Sequence, residues 1–406
     1  MRIKRNQSRL SFRHRRRRGG CMSLAVIIGL IAGMLLISWS WLERRITALS
    51  PPPDESDLIN SALEAFDRGD LDDAIVMARE ALVNNPSQIN AVILLSRALI
   101  YRSYQDYDTE SDRAAALELT TELIQRYPTN LDLRAAHAFA LQANRQPAAA
   151  ADAARRVLEE NPDHGLARVS LALAYAVAGS NEFALRESLQ AVRAHPTMMD
   201  AQRALAISYG DNGNYESAVH SVESAIGLNG RLIPLYFERA LYALQLGDVD
   251  SATYAYMQVL ALDSENVKAR LRLCELSSLL RERDAAIAYC TAVTERAPSW
   301  ADGWYQLGRE YFLQGNFEAA QTNLHQCSTL QVMQEIPVEE RRFECWYLQG
   351  QAAEIRGDCP TLLATYNEFR AMTANSDIAQ TWAYPPEGPP GCTSSTPATS
   401  NQTGGS

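Results

Sequence analysis

A chain of 406 residues with 47% hydrophobic side chains is too long for one small core, so it should fold as an elongated or divided structure. Its net charge of −10 is uneven, because residues 1–20 carry nine Lys or Arg and no acid, which leaves about −19 for the rest. Phosphate binding needs a basic face, so an acidic body excludes nucleic acid as the main partner.

The first element along the chain is a basic head followed by an apolar run. Met22 to Trp41 is a stretch of twenty residues without a charge, and a helix of that length covers roughly the 30 Å of a bilayer's hydrocarbon. The nine positive charges before it place the N-terminus in the cytoplasm. We therefore predict a cytoplasmic tail over 1–21, a transmembrane signal anchor over 22–41 and a Pro-rich linker over 42–54, with the rest of the chain extracytoplasmic.

Two alternatives to this topology remain open. A cleaved signal peptide also begins with basic residues and an apolar run, although this run is longer than a usual h-region and "SWS" is a weak cleavage site. A membrane-tethered adaptor with its folded part in the cytoplasm would require the positive-inside rule to fail.

Residues 55–374 repeat with a period of 34 residues. Each unit consists of two helices around a Gly-containing turn, and such a pair must stack on its neighbours to bury its apolar face. We predict an all-α solenoid of eight units and a degenerate ninth, in which "SYQDYDTES" lengthens the turn of the second unit. Three columns share the register: prolines at Pro128, Pro162, Pro196 and Pro298, glycines at Gly179, Gly213, Gly247 and Gly315, and alanines at Ala150, Ala184, Ala218, Ala252, Ala286 and Ala320.

The clearest unit is "WYQLGREYFLQGNFEAA", which resembles the tetratricopeptide repeat (TPR) family. The resemblance implies a right-handed superhelical solenoid of helix pairs over 55–374 that binds a peptide or helix of another protein in its groove. The matching positions are Trp304, Leu307, Gly308, Tyr311 and Ala320.

The chain lacks the common sequence signatures of catalysis and metal binding. Its six histidines are scattered, and it has no phosphate loop, dinucleotide fingerprint or nucleophile elbow. We therefore predict no enzyme activity, no cofactor, no metal and no small-molecule substrate.

In the repeat register, the first helix of each unit faces the inside of the superhelix. These positions predict an apolar partner groove, with packing between repeats as the alternative use of the same side chains. The predicted groove residues are Phe139, Leu173, Val177, Ile207, Phe237, Leu241, Tyr305 and Phe312.

Three cations match the basic positions of the clamp by which some TPR domains hold a carboxylate. Arg203, Lys268 and Arg272 accordingly predict an anion spot, although Ile207 and Glu238 stand where the clamp has asparagines. The alternative is ordinary solvated charge on a helix face.

Six of the seven cysteines follow residue 273. Cys274 and Cys290 fall on the two helices of the seventh unit, and Cys327 and Cys345 on successive helices of the eighth and ninth. Disulfides at these places would staple the C-terminal end in an oxidising compartment. Alternatively, Cys274 and Cys327 fill positions that hold small residues elsewhere.

Residues 375–406 are rich in Pro, Gly, Ser and Thr, which predicts a disordered tail. Trp382 and Tyr384 leave open that the tail docks on the chain's own groove. The whole sequence predicts a membrane-anchored scaffold for the assembly or organisation of a cell-envelope complex. A non-catalytic accessory subunit of an envelope enzyme or secretion complex is the alternative.

Overall fold

The computed structural model describes four stretches of the chain: 55–374, 382–384, 389 and 392. Contacts divide the chain into two units, 1–57 and 58–406, and the described residues belong to the second apart from 55–57. The predicted basic tail, membrane helix and linker lie outside the described residues, as does most of the C-terminal tail. Among the helices that the structure describes, none combines the length and apolar character needed to cross a bilayer.

The described residues form eighteen α-helices and no strand, arranged as nine consecutive pairs. Units 1 to 5 are α1 Glu55–Arg68 with α2 Leu71–Asn84, α3 Ile89–Arg102 with α4 Asp112–Arg126, α5 Leu131–Ala143 with α6 Pro147–Glu160, α7 Gly165–Val177 with α8 Asn181–Ala194, and α9 Met199–Asp211 with α10 Tyr215–Leu228. Units 6 to 9 are α11 Ile233–Gln245 with α12 Val249–Leu262, α13 Val267–Leu279 with α14 Arg283–Arg296, α15 Ala301–Gln314 with α16 Phe317–Met333, and α17 Glu344–Arg356 with α18 Cys359–Thr373. A 3-10 turn, Val338–Glu340, precedes the last pair. The predicted all-α array of helix pairs is confirmed.

Polar residues and left-handed turns set the helix boundaries. Several helices begin after a side chain that accepts a hydrogen bond from the third backbone N–H, which satisfies one orphan donor of the first turn. The turns inside the pairs use a left-handed residue, usually glycine, but Arg145 and Arg281 take the same place with φ of 56° and 62°. The capping residues are Asn130, His164, Asn214, Asp248, Asn266, Asn316 and Asp358.

Small residues let the two helices of a unit approach closely. Every alanine of the column that begins at Ala150 is fully buried. At Gly308 a Cβ atom would lie 2.7 Å from Leu324 Cγ, so a larger residue would push α15 and α16 apart. The repeat therefore specifies the pairing of helices through the size of a few side chains.

The array also contacts itself over long sequence distances. Asn229 Nδ2 donates to the Phe66 carbonyl at 3.0 Å, and Arg231 forms an ion pair with Asp70 at 2.9 Å. These contacts place unit 1 against units 5 and 6, and the hydrogen bond from Arg97 to Asp200 places unit 2 against unit 5. A simple solenoid contacts only its nearest neighbours, so this array curls back until its own N-terminal units cover part of its inner face.

Candidate functional site

Four of the predicted groove residues occupy one position of the repeat, on the first helices of units 3 to 6. Phe139 is 0% exposed, Leu173 is 5% exposed, Ile207 is half-buried and Leu241 is 51% exposed. Exposure rises along the array because units 1 and 2 cover the inner face of the earlier units, where the ring of Tyr101 lies 6.2 Å from that of Phe139. The groove assignment of Phe139 and Leu173 is therefore corrected, because both are core residues.

The other predicted groove residues lie in different surroundings. Val177 is 49% exposed at the end of α7. Phe312 is half-buried and packs edge-on against Phe317, with ring centroids 5.4 Å apart. Tyr305 is also half-buried and lies 4.6 Å beneath the guanidinium of Arg342. Phe237 and Leu241 lie together in the lining of one cavity.

That cavity opens between α11 and α13 and has a volume of about 420 Å³. Leu279 is 70% exposed at its edge, and the polar lining consists of Lys268, Arg272 and Glu275. The volume lies in the range of about 300–1,000 Å³ that is typical of ligand pockets. Its shape suits one or two large apolar side chains of a partner. The apolar walls are Phe237, Leu241, Leu244, Tyr256, Leu276 and Leu279.

Arg203, the first cation of the predicted anion spot, is buried and paired inside the chain. Its Nε donates to Glu238 Oε1 at 2.7 Å, and its guanidinium lies 5.3 Å from the ring centroid of Tyr101. Burial raises the pKa of the Glu238 carboxyl, and the positive charge of Arg203 opposes that shift. Because Glu238 already pairs with the Arg203 guanidinium, that cation is not available to an external anion.

The other two cations are also paired within the chain. Lys268 Nζ donates to the Tyr104 carbonyl at 2.8 Å, and burial lowers the pKa of the lysine. Arg272 Nη1 donates to Glu275 at 2.6 Å. The predicted anion spot is therefore corrected, because carboxylates and a carbonyl of the chain itself already bind its three cations.

A buried carboxylate that sequence reasoning missed joins unit 2 to unit 5. Asp200 is 2% exposed, and it accepts hydrogen bonds from Arg97 Nη2 at 2.6 Å and from the Tyr101 hydroxyl at 2.7 Å. Burial raises the pKa of Tyr101 well above its usual value, so its hydroxyl stays a donor. The signal in the sequence was that Arg97 occupies the column in which Phe139 and Leu173 are apolar.

Six cysteines are joined in three pairs near the C-terminal end. The Cα–Cα distances are 5.4 Å for Cys274–Cys290, 6.0 Å for Cys327–Cys345 and 5.3 Å for Cys359–Cys392. The first two pairs use the positions that the repeat register singled out. The third could not be foreseen from the register, because Cys392 lies in the tail beyond the last repeat.

Trp382 of the tail packs on the free side of unit 9. In unit 8, Leu324 and Cys327 contact the first helix of the following unit, through Ala352 and the disulfide to Cys345 respectively. Their counterparts in unit 9, Tyr366 and Phe369, instead meet Trp382 at ring distances of 5.1 and 5.5 Å. The tail therefore takes the place that a tenth unit's first helix would occupy.

Tyr384 extends this tail contact. Its backbone N–H donates to the Tyr366 hydroxyl at 3.0 Å, and its own hydroxyl donates to Glu354 at 2.8 Å. Burial raises the pKa of Tyr384 to about 12. The described aromatic residues of the tail, Trp382 and Tyr384, thus dock on the end of the array, and not in the cavity between α11 and α13.

Two histidines that could have suggested a catalytic or metal site, His137 and His164, have structural partners. His137 Nδ1 lies 3.2 Å from the Thr120 hydroxyl, and burial lowers the pKa of the imidazole. His164 caps α7 and contacts Asp132 at 3.0 Å. Within residues 55–374 and the described parts of the tail, no three His, Cys, Asp or Glu side chains are placed to hold a metal ion.

Comparisons with known proteins detect tetratricopeptide repeats in this chain. One model described as tetratricopeptide repeat matches residues 135–198 and 203–273, and a second with the same description matches residues 301–331. "Tetratricopeptide repeat protein 37" of Xenopus laevis is 27% identical over 146 residues, which is 35% of this chain and 9% of that protein. The chain thus spans less than a tenth of the length of that relative.

Solved structures show the same kind of fold. The APC/C hetero-tetramer Cut9–Hcn1 aligns with a TM-score of 0.55 at 15% identity, over 80% of this chain and 62% of that chain. YrrB, described as a TPR protein with an unusual peptide-binding site, aligns with a TM-score of 0.36 at 22% identity, over 45% of this chain and 93% of its own. At these identities the likeness to Cut9–Hcn1 shows the fold alone.

Proposed function

We propose that this chain is a non-catalytic scaffold that binds protein partners through the inner face of units 6 and 7. The observation that carries the proposal is the cavity between α11 and α13, whose apolar walls end in the exposed side chains of Leu241 and Leu279. Exposed leucines around a concave apolar cavity are typical of a docking surface. Arrays of this fold typically serve as protein-interaction scaffolds.

The cavity suits an amphipathic helix or an extended peptide with an apolar anchor. Complete burial of one Leu or Phe side chain contributes about 1.5–3 kcal/mol, so one anchor supplies much of the energy of a peptide complex. The polar side chains of the lining are paired within the chain, Lys268 with the Tyr104 carbonyl and Arg272 with Glu275. The apolar anchor therefore has to supply most of the affinity.

Leu279→Asp should weaken partner binding by at least about tenfold, because it removes apolar contact and places a carboxylate at the edge of the cavity. The measurement is co-purification with the full-length tagged chain from solubilised membranes, followed by titration calorimetry with the purified partner. Val83→Asp is the matched control, since Val83 is 81% exposed on α2 and far from the cavity along the array. Equal partner recovery from the two variants would contradict the proposed docking surface.

We further propose that Met22 to Trp41 anchors the chain and that the array works outside the cytoplasm, in the assembly or organisation of a cell-envelope complex. Two observations support this proposal: the nine basic residues before the apolar run, and the three cystine pairs, which are typical of oxidising compartments. An accessory subunit of an envelope enzyme would have the same topology. Co-purification of an enzyme with the chain would favour that alternative.

In intact cells, a membrane-impermeant maleimide should label the chain only after treatment with an impermeant reductant, because Cys359 and Cys392, the one pair that is not fully buried, are then free thiols outside the cell. The readout is the mass shift of the full-length chain, and Cys21→Ser removes the one cysteine predicted to lie on the other side. Labelling that appears only after lysis and needs no reductant would place the array in the cytoplasm. That result would favour the tethered adaptor.

A further inference from the structure

The connection between α3 and α4 is the longest within any pair. It has nine residues, 103–111, whereas the other eight pairs use two or three. The extra residues leave unit 2 and reach the seventh unit, where the Asp106 carboxylate accepts hydrogen bonds from the backbone N–H groups of Val267 and Lys268, both at 3.0 Å. The connection therefore crosses the inner face of the array.

Asp106 completes the first turn of a helix that belongs to another unit. The first N–H groups of a helix have no partner within it, and its N-terminus is the positive end of the helix dipole. In α13, Asn266 binds the N–H of Ala269, and Asp106 binds the two N–H groups before it. A carboxylate from unit 2 thus accepts two hydrogen bonds for which α13 has no acceptor of its own.

The neighbouring residues of the connection are bound as well. The Tyr104 carbonyl accepts from Lys268 Nζ at 2.8 Å, and the Gln105 carbonyl accepts from Asn266 Nδ2 at 3.1 Å. The ring of Tyr107 stacks on Trp300, just before α15, with a centroid distance of 4.7 Å and an interplanar angle of 16°. The four consecutive residues 104–107 therefore all contact unit 7 or unit 8.

We propose that residues 104–107 form a clasp that keeps the array curled, and that release of this clasp opens the inner face. Solenoid units coupled only to their neighbours bend easily, because small rotations add along the array. The clasp joins residues 161 positions apart, so it limits many such rotations together. This inference concerns the chain alone and does not depend on the proposed partner cavity.

Lys268 links the clasp to that cavity. Its Nζ donates to the Tyr104 carbonyl and lies 4.7 Å from the ring centroid of Phe237, which lines the cavity. When the clasp leaves, this ammonium loses its acceptor and becomes able to pair with another group. Clasp release would thus change the charge that the cavity presents.

A first test uses the unaltered full chain. The amide protons of Val267 and Lys268 should exchange about tenfold more slowly than those of Ala301 and Asp302, which hold the same two positions at the start of α15. Within the described residues, no carboxylate of another unit is bound to the N–H groups of this second pair. Hydrogen exchange with fragmentation mass spectrometry measures both pairs in one sample. Equal rates would overturn the proposal.

A second test compares two variants of equal charge. Asp106→Ala with Tyr107→Ala should speed exchange at Val267 and Lys268 about tenfold and increase the radius of gyration in neutron scattering with contrast-matched detergent. Asp108→Ala with Tyr107→Ala has the same composition, but Asp108 is exposed, so it should retain the slow exchange. A folded Asp106 variant with unchanged rates and dimensions would overturn the proposal. If that variant does not fold, the exchange rates of the unaltered chain decide.

Discussion

Asp200→Ala is expected to lower the free energy of unfolding by about 3–5 kcal/mol, because it leaves the partly buried Arg97 guanidinium without its carboxylate. Arg97 and Tyr101 both donate to Asp200, and the carboxylate is 2% exposed. Removal of one partner of a buried ion pair costs more than the pair contributes, since the remaining charge cannot recover its hydration. Urea denaturation followed by circular dichroism measures the change.

Asp132→Ala is the matched control for this experiment. Asp132 holds the same position of the repeat in the first turn of α5, but its side chain is 73% exposed and pairs with His164 at 3.0 Å. Its substitution removes the same helix-end charge at a cost of less than about 1 kcal/mol. Equal effects of the two substitutions would mean that the ion pair between units 2 and 5 contributes no more than a helix-end charge.

Trp382→Ala is expected to lower the stability of unit 9 by about 3–5 kcal/mol, the range for a truncated aromatic side chain in a core. Trp382 is 5% exposed, and its ring lies within 5.8 Å of those of Tyr347, Tyr366 and Phe369. Its loss exposes the apolar end of the array to water. Hydrogen exchange at the amides of α18 reports the opening free energy of this unit.

Trp300→Ala controls for the loss of a tryptophan as such. Trp300 precedes α15 and stacks on Tyr107, with ring centroids 4.7 Å apart, and it lies outside the cluster that contains Trp382. Its substitution should leave exchange in α18 unchanged. If Trp382→Ala also leaves α18 protected, the tail does not stabilise the last unit, and the disulfide Cys359–Cys392 holds it in place without an energetic role for the ring.

The 34-residue register was sufficient to predict the helix pairs, because pairing depends on local features such as small residues and turn residues. It could not distinguish Asp132, Asp200 and Asp302, which all occupy one column of the repeat. Asp132 is mostly exposed, Asp200 is buried against unit 2, and Asp302 pairs with Arg342 at 2.8 Å. The surroundings of these three carboxylates depend on how far the array curls back on itself. This curvature is the sum of many small rotations between units.

The repeat register was insufficient to predict the candidate site for the same reason. Phe139 and Leu241 have equivalent places in the repeat, yet one is core and the other is exposed beside the cavity. The sequence also indicated that "SYQDYDTES" is an insertion. Its contact with α13, however, depends on how far the array curls back on itself. The partner of Cys359 was hidden for a related reason, because Cys392 follows a tail without any periodic pattern.

The long-range contacts of unit 2 have a consequence for how the chain is made. Arg97 pairs with a residue 103 positions later, and Asp106 binds N–H groups 161 and 162 positions later. At a synthesis rate of about 5–20 residues per second, the carboxylate of Asp106 waits roughly 8–30 s for α13 to be made. During that time Arg97 can pair with Asp200 and unit 1 can contact Asn229 and Arg231, but the carboxylate of Asp106 stays hydrated. The contacts with units 7 and 8 are therefore the last long-range contacts of unit 2 to form on the nascent chain, and a ribosome that stalls before unit 7 would leave a curled array whose connection 103–111 is unbound.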